Sequence, residues 1–234
     1  MQAFKPVLKL VWFDIRASYF IFWSILLAVT IFNVILALSL PELRFGMSAN
    51  FAVYAYMAAA GFLMIKETFP YSLGMSSTRY HYYWGLVLGF LGLAVAQAVS
   101  LLIYVLLFSS LTEWLGLADN FRIFSLRQVG LTDISWINML IIDFTIGLLL
   151  LTLFSLAGAI LYRFGWLILL IIGMVGIVLI MTPSFRAALE PLVEWVSVDL
   201  VLRLLILAGG VILFCLVCIK LVLRRATIEA GGKR

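Results

Sequence analysis

The chain has 234 residues, of which 65% are hydrophobic and 12% are charged, and its mean hydropathy is +1.20. Soluble domains are about half apolar, so this composition excludes a soluble globular protein. The formal net charge of +5 fits basic residues that flank apolar stretches and face anionic lipid, and it does not indicate a nucleic-acid partner.

Six stretches free of formal charge are candidates for crossing a bilayer, which takes about 20 apolar residues per helix. Because these runs are long and continuously apolar, they favour helices over the alternating strands of a barrel. The sequence therefore predicts an all-α membrane protein, with one transmembrane domain over residues 1–234. The predicted spans are residues 18–40, 51–69, 83–108, 138–161, 166–181 and 198–221. The first is longer than the apolar core of a signal peptide, so we expect it to be retained.

The distribution of basic residues predicts the orientation. With the N-terminus in the cytoplasm, 11 of the 16 Lys and Arg residues lie on the cytoplasmic side. We therefore expect a multi-pass protein of the bacterial cytoplasmic membrane with both termini inside.

Two amphipathic segments lie outside the six spans. In residues 1–16, apolar side chains recur at helical spacing from Phe4 to Ile15, which predicts a separate interfacial helix. The alternative is a disordered basic tail. Residues 183–197 carry a similar stripe and predict an outer helical segment between spans five and six.

Polar and small residues inside the spans predict contacts between helices. Asn33 is expected to face another helix. Asp143 is an ionisable residue within a span and hence a functional candidate; its place near the outer end favours a water-accessible structural or rim role over a proton relay. In the third span, Gly85 and Gly89 have the spacing that permits close helix packing, and Gly61 in the second span is small enough for such a contact.

The residues needed for catalysis or metal binding are missing from the pattern. His81 is the single histidine, and no nucleophile-elbow motif occurs. Cys215 and Cys218 form a C-x-x-C inside a span, where small apolar packing residues are the favoured interpretation. No phosphate-binding G-x-x-x-x-G-K-[ST] motif is present, so the chain has no nucleotide site of that type. From these absences together, we expect no catalytic residue, metal or cofactor in this chain.

The segment between spans two and three reads ETFPYSLGMSSTRYHYYWG and differs from the rest of the chain. Pro70 is expected to end a helix, Gly74 to allow a turn, and Ser76 or Ser77 to cap the next helix. Its basic and aromatic residues suit a membrane boundary.

This segment resembles the first cytoplasmic loop of small bacterial permeases of the ABC type 2 transporter family, in which F-P-[FY]-x-L is followed by Gly, Arg, aromatics and a Gly that opens the next helix. The matching residues are Phe69, Pro70, Tyr71, Leu73, Gly74, Arg79, Tyr80, Tyr82, Tyr83 and Gly85. The spacing differs, because three hydroxyl residues precede a single Arg79 where the family often has a second basic residue.

The resemblance implies that residues 70–82, here called the coupling loop, receive force from a separate ATPase chain that binds ATP and Mg. It also implies a second permease subunit, six spans, and export of a peptide, antibiotic or lipid. Two alternatives remain open: a substrate-binding component of a vitamin or metal uptake system, and a non-transporting immunity or assembly factor. For the segment itself, the alternative is an ordinary loop between helices that is anchored by interfacial aromatics.

Overall fold

Helices make up almost all of the described chain in this computed structural model, which covers residues 4–40, 45–74, 78–117, 121–123, 135–184, 187, 190–191 and 200–224. The helices are α1 (Phe4–Ser39), α2 (Ala49–Leu63), α3 (Phe69–Gly74), α4 (Arg79–Trp114), α5 (Trp136–Phe164), α6 (Trp166–Met181) and α7 (Leu200–Arg224). A π-helical turn, Met64–Thr68, joins α2 to α3. The predicted helical class is confirmed.

Five segments of the described chain are long and apolar enough to cross a membrane: Ile15–Ser39, Ala49–Ser72, Arg79–Trp114, Trp136–Phe164 and Val201–Arg224. The helix α6 covers the residues predicted for the fifth span, but it has only 16 residues. At 1.5 Å per residue it rises about 24 Å, whereas the hydrocarbon core is about 30 Å thick. The structure thus supports a multi-pass membrane protein, and the sixth crossing stays a prediction.

The N-terminal helix predicted as a separate element is part of a longer one. The helix α1 runs without interruption for 36 residues, from Phe4 to Ser39. Pro6 lies in its first turn, where a missing N–H costs nothing, and no Gly or Pro interrupts the chain between there and the span. The prediction of a separate element was therefore wrong. Most of the outer segment 183–197 lies outside the described residues.

The helix α4 is longer than the predicted span 83–108. It ends where Gly116 adopts a left-handed φ of 66°. The amide of Leu117 donates to Thr112 O at 2.9 Å and that of Gly116 to Glu113 O at 3.1 Å, which is a Schellman motif. Since no earlier residue supplies such a stop, the helix continues beyond the apolar run to Trp114.

The helix α5 is the centre of the bundle. It packs against α2, α4, α6 and α7, while α1 packs mainly against α4. A Cβ added at Gly61 of α2 would lie 2.4 Å from Leu151 O, and one at Gly158 of α5 would lie 2.8 Å from Phe62 O. The backbones of α2 and α5 therefore touch at two places where only glycine fits.

Contacts between distant residues define two ends of the bundle. At one end, called the coupling-loop end, Phe69 packs on Tyr162 of α5 and Arg79 reaches Arg224 of α7. At the opposite end, strand β1 (Phe45–Met47) pairs in parallel with β2 (Phe121–Ile123). These two short strands were not predicted; pairing satisfies backbone groups that a loop at a membrane boundary would otherwise leave without partners.

Candidate functional site

The described residues of the coupling loop lie on two helices, α3 and the start of α4 with its N-cap, which are here called the two arms of the hairpin, and Pro70 lies within a helix instead of ending one. The π-helical turn Met64–Thr68 leads directly into α3, which contains Pro70, Leu73 and Gly74. A proline in a regular helix removes one hydrogen bond and clashes with the carbonyl four residues earlier. A wider π turn just before it relieves that conflict, so the helix continues where the sequence predicted a stop.

The following helix has its cap at a residue that the sequence did not single out. Thr78 is the N-cap of α4, and its side chain accepts from the amide of His81 at 3.3 Å. The ring of His81 bonds back to the Thr78 hydroxyl, so both ends of the first turn are tied. Ser76 and Ser77, the predicted caps, lie outside the described residues. His81 thus has a structural contact at the helix start.

The base of the hairpin is buried. Phe69 and Tyr82 are both 0% exposed, and their rings lie 5.1 Å apart. Phe69 also packs edge-on against Tyr162 at 5.3 Å. The Tyr82 hydroxyl donates to Met64 O, in the π turn, at 2.8 Å. These contacts fix the hairpin to α5 and hold its two arms together.

The described residues on either side of the hairpin tip are exposed. Tyr71 is 60% exposed and Tyr80 is 63% exposed, and Gly74 between them is exposed as well. Exposed aromatic residues on a rigid element are typical anchors for a protein partner. The sequence pattern marked all of these aromatics alike, and the structure separates them into a buried base and an exposed tip.

Arg79 makes a contact within the chain that the sequence did not indicate. Its Nη1 donates to the backbone carbonyl of Arg224 at 2.6 Å. A carbonyl in the last turn of a helix carries partial negative charge. Arg79 therefore ties the start of α4 to the last described turn of α7, and Tyr83 beside it carries Lys220 over its ring at 5.8 Å.

Asp143 belongs to a buried polar cluster between α2 and α5. The Tyr54 hydroxyl donates to Asp143 Oδ1 at 2.5 Å, and Asn50 Nδ2 approaches the same oxygen at 3.4 Å. Asp143 is 3% exposed and Asn50 is 6% exposed. The expectation that water reaches Asp143 was wrong, because α2 covers it.

One oxygen of this carboxylate remains without a hydrogen bond. Asp143 Oδ2 and Asn50 Oδ1 are buried and have no partner among the described residues. Such groups are rare and costly inside proteins. The cluster is a candidate site for a proton, which would turn Oδ2 into an O–H group. Within the described chain, no group of three or more His, Cys, Asp or Glu residues is placed to hold a metal ion.

Asn33 does not bond to another helix in the described chain. Its Nδ2 donates to Val29 O of the same helix at 2.8 Å. This local bond satisfies one of the two amide N–H groups of Asn33 within its own helix.

Sequence reasoning missed Asn50, Tyr54 and Gln97. Asn50 and Tyr54 are spaced i, i+4 on α2 and share a face. This polar face within a span indicates a partner for Asp143 on another helix. Gln97 of α4 is 2% exposed, and its side-chain N and O atoms have no partner among the described residues. A buried amide in a span is a functional candidate for the same reason as Asp143.

Comparisons of this chain with protein-family models, with curated proteins and with solved structures found no match.

Proposed function

We propose that this chain is the membrane-spanning permease subunit of an ATP-driven exporter of the ABC type 2 class. A separate ATPase chain would bind ATP and Mg, and a second permease subunit, identical or closely related, would complete the pathway. The cargo would be hydrophobic or amphipathic, such as a peptide, an antibiotic or a lipid. The observation that carries the proposal is the hairpin at residues 69–82, with its buried base and exposed aromatic tip.

The hairpin has the mechanical properties that a receiver of force requires. Its base is packed on Tyr162 of α5, and α5 contacts α2, α4, α6 and α7. Because packed helices move as rigid bodies, a displacement of the tip at Tyr71 and Tyr80 would be passed to the whole bundle. An ordinary flexible connection would need no buried base.

The arrangement of helix ends supports six crossings. Both α5 and α7 finish at the coupling-loop end, as the contacts of Tyr162 with Phe69 and of Arg224 with Arg79 require. The intervening chain, residues 165–199, must therefore travel to the opposite end before α7 begins. The apolar helix α6 is the segment available for that crossing, with a shorter apolar length than the other five helices.

The test is co-purification of an ATPase with the tagged chain from its native membrane in mild detergent, followed by mass spectrometry and an ATPase assay. We compare Tyr71→Ala with Trp114→Ala, because Trp114 is 81% exposed and ends the same helix that begins beside the hairpin tip. An aromatic anchor contributes about 2 kcal/mol or more, equivalent to about 30-fold in affinity. We therefore expect Tyr71→Ala to lose the ATPase and Trp114→Ala to keep it.

A chain that is recovered alone, without ATPase activity, would refute the proposal and favour a non-transporting role. Equal retention of the ATPase by both variants would place the contact elsewhere than the hairpin tip. High-affinity binding of a small ligand by the isolated chain would favour the uptake component.

A further inference from the structure

A cavity of about 340 Å³ opens at the coupling-loop end, between the start of α4 and the last turns of α7. This volume falls within the range of small-molecule sites. Its lining consists of Arg79, Tyr80, Tyr83, Lys220, Leu223 and Arg224. Three of these six side chains are cationic, and none is a carboxylate.

Two of the three cations are held at the cavity by specific contacts. Arg79 is fixed by its bond to Arg224 O at 2.6 Å, and the Lys220 ammonium lies 5.8 Å from the centre of the Tyr83 ring. The end of the α7 helix contributes only about half a negative charge. Three like charges in one cavity therefore repel each other until an anion enters, which gives the cavity a strong preference for anionic ligands.

The position of the cavity relative to the membrane favours one kind of anion. Lys220 and Arg224 lie in the last two turns of a helix long enough to cross a membrane, and Arg79 begins another. Ends of spanning helices lie at the level of lipid headgroups, where tyrosine is favoured. The wall formed by Leu223, which is 2% exposed, and the Tyr83 ring is apolar and suits the glycerol region next to a phosphate.

We propose that this cavity binds the phosphate headgroup of an anionic phospholipid. Arg79 and Arg224 supply N–H donors to phosphate oxygens, and Lys220 supplies a mobile point charge. Basic cavities between spanning helices are suited to such headgroups. The bound lipid would join the start of α4 to the last turns of α7, which also contact each other through Arg79 and Tyr83.

Native mass spectrometry of the full-length chain in detergent tests this proposal, with phosphatidylglycerol and phosphatidylcholine added in separate titrations. We expect phosphatidylglycerol adducts to dominate. Lys220→Gln should lower their population about fivefold, the effect of one lost cation at a membrane surface, and Lys220→Arg should restore it. Lys220 is exposed, so its replacement leaves the core intact.

The matched control is Lys66→Gln. Lys66 is an exposed lysine of the π turn and does not line the cavity. It should leave the adducts unchanged. Equal losses from the Lys66 and Lys220 variants would overturn the proposal, since they would indicate a diffuse charge effect. Equal populations of phosphatidylglycerol and phosphatidylcholine adducts would also overturn it. Full competition by inorganic phosphate at concentrations near that of the lipid would overturn it as well, because it would indicate a site for a soluble anion.

Discussion

Gly61→Ala tests the contact that brings α2 onto the central helix. The added Cβ would lie 2.4 Å from Leu151 O, whereas tight Cβ contacts begin at 3.0–3.4 Å, so the two backbones must separate by about 0.6–1.0 Å. The same contact carries a hydrogen bond from Ser155 Oγ to Gly61 O at 2.8 Å. Separation would lengthen that bond while both groups remain buried.

The opposing terms leave a net loss of stability. Overpacking costs about 1–3 kcal/mol, and a weakened hydrogen bond costs about 0.5–1.5 kcal/mol. Alanine regains about 1 kcal/mol over glycine in a helix. We therefore expect Gly61→Ala to lower the free energy of unfolding by about 0.5–3.5 kcal/mol, the sum of these three terms.

The matched control is Gly92→Ala in α4, where an added Cβ meets nothing within 4 Å. This variant should be neutral or slightly stabilising, because only the helix-propensity term applies. Unfolding in mixed detergent micelles, followed by the fluorescence of the 7 Trp residues, measures both. If Gly61→Ala is as stable as Gly92→Ala, the close approach of α2 and α5 is wrong.

Two further substitutions test the polar contacts with the same unfolding assay. Tyr54→Phe removes the donor to buried Asp143 and should lower the free energy of unfolding by about 1–3 kcal/mol. The control is Tyr56→Phe: the Tyr56 hydroxyl meets Ser18 at an exposed position, so its loss should change the free energy of unfolding by less than about 0.5 kcal/mol. Equal losses of stability in the two variants would count against a buried cluster. Thr78→Ala should cost about 0.5–2 kcal/mol because it removes the cap of α4, and Thr78→Ser should retain it; a serine variant as unstable as the alanine variant would contradict the capping role.

The sequence by itself determined the class of the protein and most of its helices. Long apolar runs have no stable arrangement in water and must form helices in lipid, so α5 and α6 begin and end within three residues of their predicted bounds. The match is poorer where the end of a helix depends on local contacts: α4 extends to the caps at Thr78 and Gly116.

Only the tertiary structure decided which polar and aromatic residues meet. Arg79 and Arg224 are 145 positions apart in the chain, and the Tyr54–Asp143 contact spans 89. No spacing rule predicts such pairs, because they depend on how whole helices pack. The π turn before Pro70 is similar: the proline predicts a break, but the wider turn Met64–Thr68 accommodates it, and this turn also accepts a hydrogen bond from the distant Tyr82 at Met64 O. A proline inside a regular helix costs about 3 kcal/mol, and full burial of one large apolar side chain such as Phe69 contributes about 1.5–3 kcal/mol, so packing can offset the local preference.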